Sequence, residues 1–137
     1  MWWTFALLSA FFAALTAIFA KIGIKGVDSD LATAIRTVVI LCLAWRIAFF
    51  RGATNSIGSL TKHNLIFLIL SGVATGLSWI FYFKALQLGK VSQVAPVDKA
   101  SVAIAIILSV IFLGEPLTPK LIIGAGLIIG GTLVLIF

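Results

Sequence analysis

Five long apolar stretches divide this sequence, and they decide which folds are open to it. They cover residues 2–20, 31–50, 65–83, 91–113 and 119–137. A helix needs about 20 apolar residues to cross the roughly 30 Å hydrocarbon core of a lipid bilayer. With 62% apolar and 10% charged residues among 137, the chain has too few polar side chains to coat a water-soluble domain. We therefore predict an all-α, multi-pass membrane protein: a single domain of five transmembrane helices, spanning residues 1–137.

The connection between the last two apolar stretches contains residues that typically end and start helices. Gly114 is suited to end the fourth helix, Thr118 to cap the start of the fifth, and Pro119 to occupy its first position. This short connection predicts that helices four and five are antiparallel neighbours.

The sequence lacks the residue patterns of an enzyme or a nucleotide-driven pump. His63 and Cys42 are the single histidine and cysteine, and no glycine-rich phosphate loop is present. The formal charge of +6 comes from basic residues that lie singly at the edges of the apolar stretches, which is typical of membrane flanks and not of nucleic-acid binding. We predict no enzymatic activity, no metal, no cofactor and no nucleic-acid partner.

The basic residues that flank the stretches are divided evenly between the two membrane sides. Five crossings place the N-terminus on one side, here called side A, and the C-terminus on the other, side B. Side A receives Arg46, Arg51, Lys62 and Lys120, and side B receives Lys21, Lys25, Lys84 and Lys90. Because Lys and Arg near short loops set the orientation, this balance predicts dual topology, with both orientations in one membrane. The alternative is that Lys21 and Lys25, which follow the first helix, fix side B in the cytoplasm.

Three charged residues lie inside the apolar stretches. They are Arg36, Asp98 and Lys99. A charged side chain in a bilayer costs about 2.5–3.5 kcal/mol on insertion scales, so these residues are expected to face the interior of the bundle. Arg36 lies about 8 Å and Asp98 about 10 Å inside helices that start on side B, at a rise of 1.5 Å per residue. This similar depth predicts an Arg36–Asp98 ion pair or a shared polar cavity.

Pro96 leaves two interpretations of the fourth stretch open. A proline within a helix kinks it, and kinked or broken helices are frequent at transport sites. If the helix instead begins at Pro96, Asp98 becomes a first-turn carboxylate and Lys99 reaches the headgroups. We favour the kinked helix that begins at residue 91.

The third stretch carries two adjacent stripes at helical spacing. Ser71, Thr75, Ser78 and Tyr82 form a polar stripe, and Gly72, Gly76, Trp79 and Phe83 run beside it. These stripes fit a pocket wall with ring surfaces and hydroxyls, although ordinary helix packing explains the same pattern. We predict a substrate site formed by Arg36, Ser78, Trp79, Tyr82, Asp98 and Lys99. We also predict close packing at Gly72, Gly76, Gly126 and Gly130, within the chain or against a second copy.

Four segments in the second half resemble the EamA-type branch of the drug/metabolite transporter superfamily. They are residues 82–89 (YFKALQLG), 95–99 (APVDK), 112–118 (FLGEPLT) and 123–131 (IGAGLIIGG). The resemblance implies a secondary transporter, typically built from ten helices as two inverted five-helix repeats around a central cavity. This chain holds one such repeat, so it looks like the short five-helix class and requires a partner.

The predicted function combines these observations. We expect a secondary transporter of a small organic metabolite or cation in the plasma (inner) membrane, acting as an antiparallel homodimer. Two alternatives stay open: a non-transporting membrane subunit that pairs with another five-helix protein, and a lipid-linked-sugar flippase.

Overall fold

A computed structural model describes all 137 residues, and every regular element in it is helical. The helices are α1 (Trp2–Gly23), α2 (Ser29–Phe50), α3 (Lys62–Leu88), α4 (Val91–Lys99), α5 (Ser101–Leu113) and α6 (Pro119–Ile136). Five segments are long and apolar enough to cross a membrane, because α4 and α5 together form the span Val91–Leu113. The predicted all-α membrane fold is thus confirmed.

Two helices extend by three residues or more beyond the apolar stretches that predicted them. α1 continues to Gly23, and α3 runs from Lys62 to Leu88. Hydropathy marks where a helix leaves the hydrocarbon, but backbone hydrogen bonding continues until a residue such as glycine stops it. Within the connection between α2 and α3, a 3₁₀ helix covers Ala53–Ser59, which the sequence did not indicate.

The turn between α5 and α6 follows the predicted punctuation. Gly114 ends α5 with a φ of +66°, in the left-handed region that favours glycine. The Thr118 hydroxyl accepts a hydrogen bond from the Leu121 N–H at 3.4 Å, and Pro119 occupies the first position of α6. These three residues end one span and start the next within a few positions.

The fourth span begins at Val91 and is broken at Ala100, four residues after Pro96. Pro96 therefore lies inside α4, and the interpretation in which the helix starts at this proline is wrong. The Ala100 N–H donates to the Val97 carbonyl at 3.0 Å. In a regular α-helix it would donate to the carbonyl four residues earlier, which is that of Pro96. The break therefore leaves that carbonyl without its usual amide donor.

The chain divides into two compact units, which are described separately below. Unit 1 contains Met1–Phe19 and Leu88–Phe137, and unit 2 contains Ala20–Gln87. In unit 1, α4 and α5 both pack against α6. Few side chains are buried, and most large apolar side chains are exposed, as a lipid-facing helical protein requires.

Candidate functional site

The start of α2 places Arg36 on a defined face. The Asp28 carboxylate caps this helix by accepting hydrogen bonds from the backbone N–H groups of Asp30 (2.9 Å) and Leu31 (3.2 Å). Ser29 and Thr33 are buried on the following turns. Arg36 comes three residues after Thr33, on the same stripe of the helix, and its side chain is half-buried. The guanidinium therefore lies on the inward face of α2.

The end of α3 carries the two aromatic rings of the site and is held at its C-terminus. Phe83 and Leu86 are almost fully buried, and Trp79 lies one turn before Phe83. The Lys21 ammonium donates to the Leu86 carbonyl, and the Gln87 side-chain amide donates to the Val27 carbonyl at 2.6 Å. The first bond joins the end of α3 to the last turn of α1, and the second joins it to the segment between α1 and α2. The Leu86 carbonyl can accept the first bond because carbonyls in the last helical turn lack backbone donors.

The Arg36 guanidinium lies over both rings. Its central carbon is 4.8 Å from the Trp79 ring centroid and 4.7 Å from that of Phe83. Both distances are within the range in which an aromatic face attracts a cation. We call Arg36, Trp79 and Phe83 the aromatic–guanidinium cluster. It is a positive charge held between two membrane-spanning helices of one unit.

The guanidinium has no carboxylate partner within unit 2. The carboxylates of this unit are Asp28, which caps α2, and Asp30, which lies in its first turn. The one ion pair of the structure joins other residues, and no hydrogen bond involves the guanidinium. Since an arginine has five N–H donors, the edge of this group has unused hydrogen-bonding capacity.

The other predicted residues on α3 differ in their surroundings. Tyr82 is half-buried and close enough to Arg36 for an electrostatic interaction. Ser78 is exposed and lies outside the cluster, and Thr75 donates to the Ser71 carbonyl of its own helix at 2.8 Å. That the polar stripe of α3 forms the wall of a pocket therefore stays a prediction.

The four packing glycines make no close contact in the chain. A Cβ atom built on Gly72, Gly76, Gly126 or Gly130 would meet no heavy atom within 4 Å. Packing of these glycines against a second copy stays a prediction.

In unit 1, Asp98 and Lys99 lie at the end of α4 and pair with each other. The Lys99 ammonium is 3.4 Å from the Asp98 carboxylate, with side chains 58% and 36% exposed respectively. A partly exposed pair of sequence neighbours adds little stability. Arg36 and Asp98 belong to different units, so their ion pair or shared cavity stays a prediction.

Thr132 compensates for the break that follows Pro96. Its hydroxyl donates toward the Pro96 carbonyl at 3.2 Å and the Ile128 carbonyl at 2.8 Å. Thr132 is buried and lies on α6. Its hydroxyl therefore gives the Pro96 carbonyl a donor from a neighbouring helix in place of the Ala100 N–H, which donates to Val97. This bond fixes the broken span beside the Asp98–Lys99 pair.

Replacing Thr132 with valine is expected to destabilise unit 1. The substitution keeps the shape but leaves the Pro96 carbonyl without a donor, and interhelical bonds of this kind contribute about 0.6–1.7 kcal/mol in membranes. Thr75→Val is the matched control, because the Thr75 hydroxyl bonds only to its own helix. Reversible unfolding in detergent measures both variants, and an equal loss of stability in the two would contradict this role of Thr132.

Two residues of these arrangements were not among the predicted site residues. Phe83 had a usable signal, since it lies four residues after Trp79 and therefore on the same helical face. Thr132 is the one hydroxyl residue between Pro119 and Phe137, and a lone polar residue in an apolar span marks a candidate interhelical bond. The described side chains include no group of three or more His, Cys, Asp or Glu residues arranged to hold a metal ion.

Comparison with known proteins places this architecture in a family. The sequence matches the EamA-like transporter family over residues 1–137. The chain belongs to this family. A protein of Sinorhizobium sp. described as "Uncharacterized transporter in cobO 3'region" is 48% identical to this EamA-like chain over 134 residues, which is 98% of the chain and 95% of that protein. No solved structure matches the chain significantly.

These similarities confirm the family resemblance and the general function. This EamA-like chain is a multi-pass membrane transporter, the function that both the family and the relative's description indicate. The relative is about as long as this chain.

Proposed function

We propose that this EamA-like chain is a secondary transporter of a small organic metabolite or cation in the plasma (inner) membrane. The observation that carries the proposal is the aromatic–guanidinium cluster. A charged side chain within membrane-spanning helices is costly and, in membrane proteins, usually serves a transport path. Two ring faces and a guanidinium provide surfaces that select small organic solutes.

The working unit in this proposal is an antiparallel homodimer. Alternating access in secondary transporters commonly needs two repeats around a site at the middle of the membrane, and this chain holds five spans. Four basic residues flank each membrane side, which favours neither orientation. Two oppositely inserted copies would rebuild an inverted repeat. Each copy would contribute Arg36, Trp79, Tyr82 and Asp98 to a shared cavity.

Energy for transport would come from the gradient of the solute or of a coupled ion. Asp98 is the one carboxylate within an apolar span, since Asp28, Asp30 and Glu115 lie at or between helix ends. It is therefore the candidate proton carrier, with Lys99 as the cation that it pairs with in the absence of a solute.

A ligand screen followed by flux measurement tests the proposed function. A ligand that binds only the folded protein raises its thermal stability, so purified protein is first screened against small organic anions, cations and neutral solutes. Stabilising compounds are then assayed for uptake into proteoliposomes. Uptake above that of protein-free liposomes supports a transporter. Stabilising ligands without uptake would indicate a non-transporting subunit, and movement of lipid-linked sugars between leaflets would indicate a flippase.

A further inference from the structure

The aromatic–guanidinium cluster stabilises the charge of Arg36 without using its N–H donors. Trp79 and Phe83 lie below 5 Å from the central carbon, as measured to their ring centroids. The N–H donors lie along the edge of the planar guanidinium, and a cation–π contact does not require them as hydrogen-bond donors. Those donors take part in no hydrogen bond or ion pair of unit 2.

An oxyanion with two oxygens fits this edge. The fork of guanidinium donors matches the geometry of a carboxylate or a phosphate, to which it donates two parallel hydrogen bonds. The cluster itself has one positive charge, that of Arg36. A carboxylate, with a single negative charge, neutralises the guanidinium, whereas a phosphate dianion would leave a charge uncompensated where the dielectric constant is low.

The aromatic rings also help to keep the guanidinium available. A cation in a membrane span is costly unless it is paired or stabilised otherwise. Because two rings lie close to the guanidinium and stabilise its charge, the cation does not depend on a carboxylate from unit 2.

We propose that the aromatic–guanidinium cluster is a binding site for the carboxylate of a small organic solute, held by the edge of Arg36. This inference rests on the proposed function, since it names the chemical class of the transported solute. It assigns the binding contact to Arg36 and the positioning of Arg36 to Trp79 and Phe83.

Fluorescence of Trp79 tests this assignment independently of transport. Replacing Trp2, Trp3 and Trp45 with phenylalanine leaves Trp79 as the one tryptophan. The full-length protein is titrated with three probes of similar size: phenylacetate, phenylacetamide and phenethylamine. Lactate and lactamide form a second pair without a ring, and inorganic phosphate is titrated as the competing oxyanion. We expect a saturable change in Trp79 emission with the carboxylates and none with the amides or the amine. A bound carboxylate would shift the guanidinium relative to the Trp79 ring.

Variants of Arg36 test whether the fluorescence response comes from binding at the aromatic–guanidinium cluster. Arg36→Gln is expected to weaken carboxylate binding by about 10- to 100-fold, the loss typical of charge-assisted hydrogen bonds. Arg36→Lys keeps the charge without the fork, so it should lose about tenfold and provides the test if Arg36→Gln does not fold. Arg46→Gln makes the same charge change on the same helix outside the cluster, and it should bind as the parent does.

The outcomes separate this inference from the proposed function. Equal responses to acids and amides, a response to inorganic phosphate alone, no response to either carboxylate, or binding unchanged in both Arg36 variants would overturn the carboxylate site. Transport of neutral or cationic solutes would leave the proposed function intact in those cases. Arg36-dependent carboxylate binding without flux in proteoliposomes would confirm the site and contradict the transporter.

Discussion

Replacing Lys25 with glutamine is expected to place the C-terminus of most copies outside the cytoplasm. The substitution leaves three flanking basic residues on side B against four on side A, so side A becomes the preferred cytoplasmic side. One basic residue near an anionic membrane surface contributes about 1 kcal/mol, which changes the ratio of the two orientations about fivefold. Lys25 is exposed, so its loss leaves the helices intact.

Lys62→Gln is the matched variant with the opposite effect. Lys62 is an exposed residue at the start of α3 on side A, and its loss favours side B in the cytoplasm. Reporters fused to the C-terminus, one active only inside and one only outside the cell, measure both ratios. The two variants should differ by about 25-fold. An orientation that neither substitution changes would contradict dual topology.

Replacing Asp98 with asparagine is expected to reduce transport to the level of protein-free liposomes. Asparagine can neither carry a proton nor pair with Lys99, whose ammonium is 3.4 Å from the Asp98 carboxylate. Loss of a group that transfers protons typically costs 100-fold or more, so we expect a decrease of at least about 100-fold in the flux of a solute identified by thermal stabilisation.

Two controls make the Asp98 result specific. Glu115→Gln removes an exposed carboxylate from the α5–α6 connection and should leave the flux unchanged. Asp98→Glu restores a carboxylate and should recover part of the flux. If Asp98→Asn transports as the parent does, Asp98 is not the proton carrier. If the parent shows no flux and Asp98→Asn changes only assembly, the chain is better described as a non-transporting membrane subunit.

The spans and the last turn could be predicted from the sequence because short-range rules determine them. About 20 apolar residues define a crossing, and the identities of Gly114, Thr118 and Pro119 end one helix and start another. The apolar stretches are shorter than α1 and α3, since a helix continues past the residue at which its surroundings become polar.

The contacts of the site depended on three-dimensional information that spacing does not contain. Periodicity put Trp79 and Phe83 on one face, but only the structure shows that Arg36 of α2 covers both rings. The break at Ala100 and its compensation by Thr132 join residues 36 positions apart in sequence, and no local pattern connects them. The Arg36–Asp98 pairing rested on equal depth alone, and depth does not specify which faces meet.

Complementation between two oppositely biased variants tests the antiparallel dimer most directly. Lys25→Gln with Lys90→Gln removes two charges from side B, and Arg51→Gln with Lys62→Gln removes two from side A; each pair should bias the orientation about 25-fold. Each double variant is expressed alone, and then both together, and solute flux is measured in membrane vesicles at equal protein levels. We expect little flux from either variant alone and restoration to the parent level when they are expressed together. Full flux from one variant alone would contradict the antiparallel dimer.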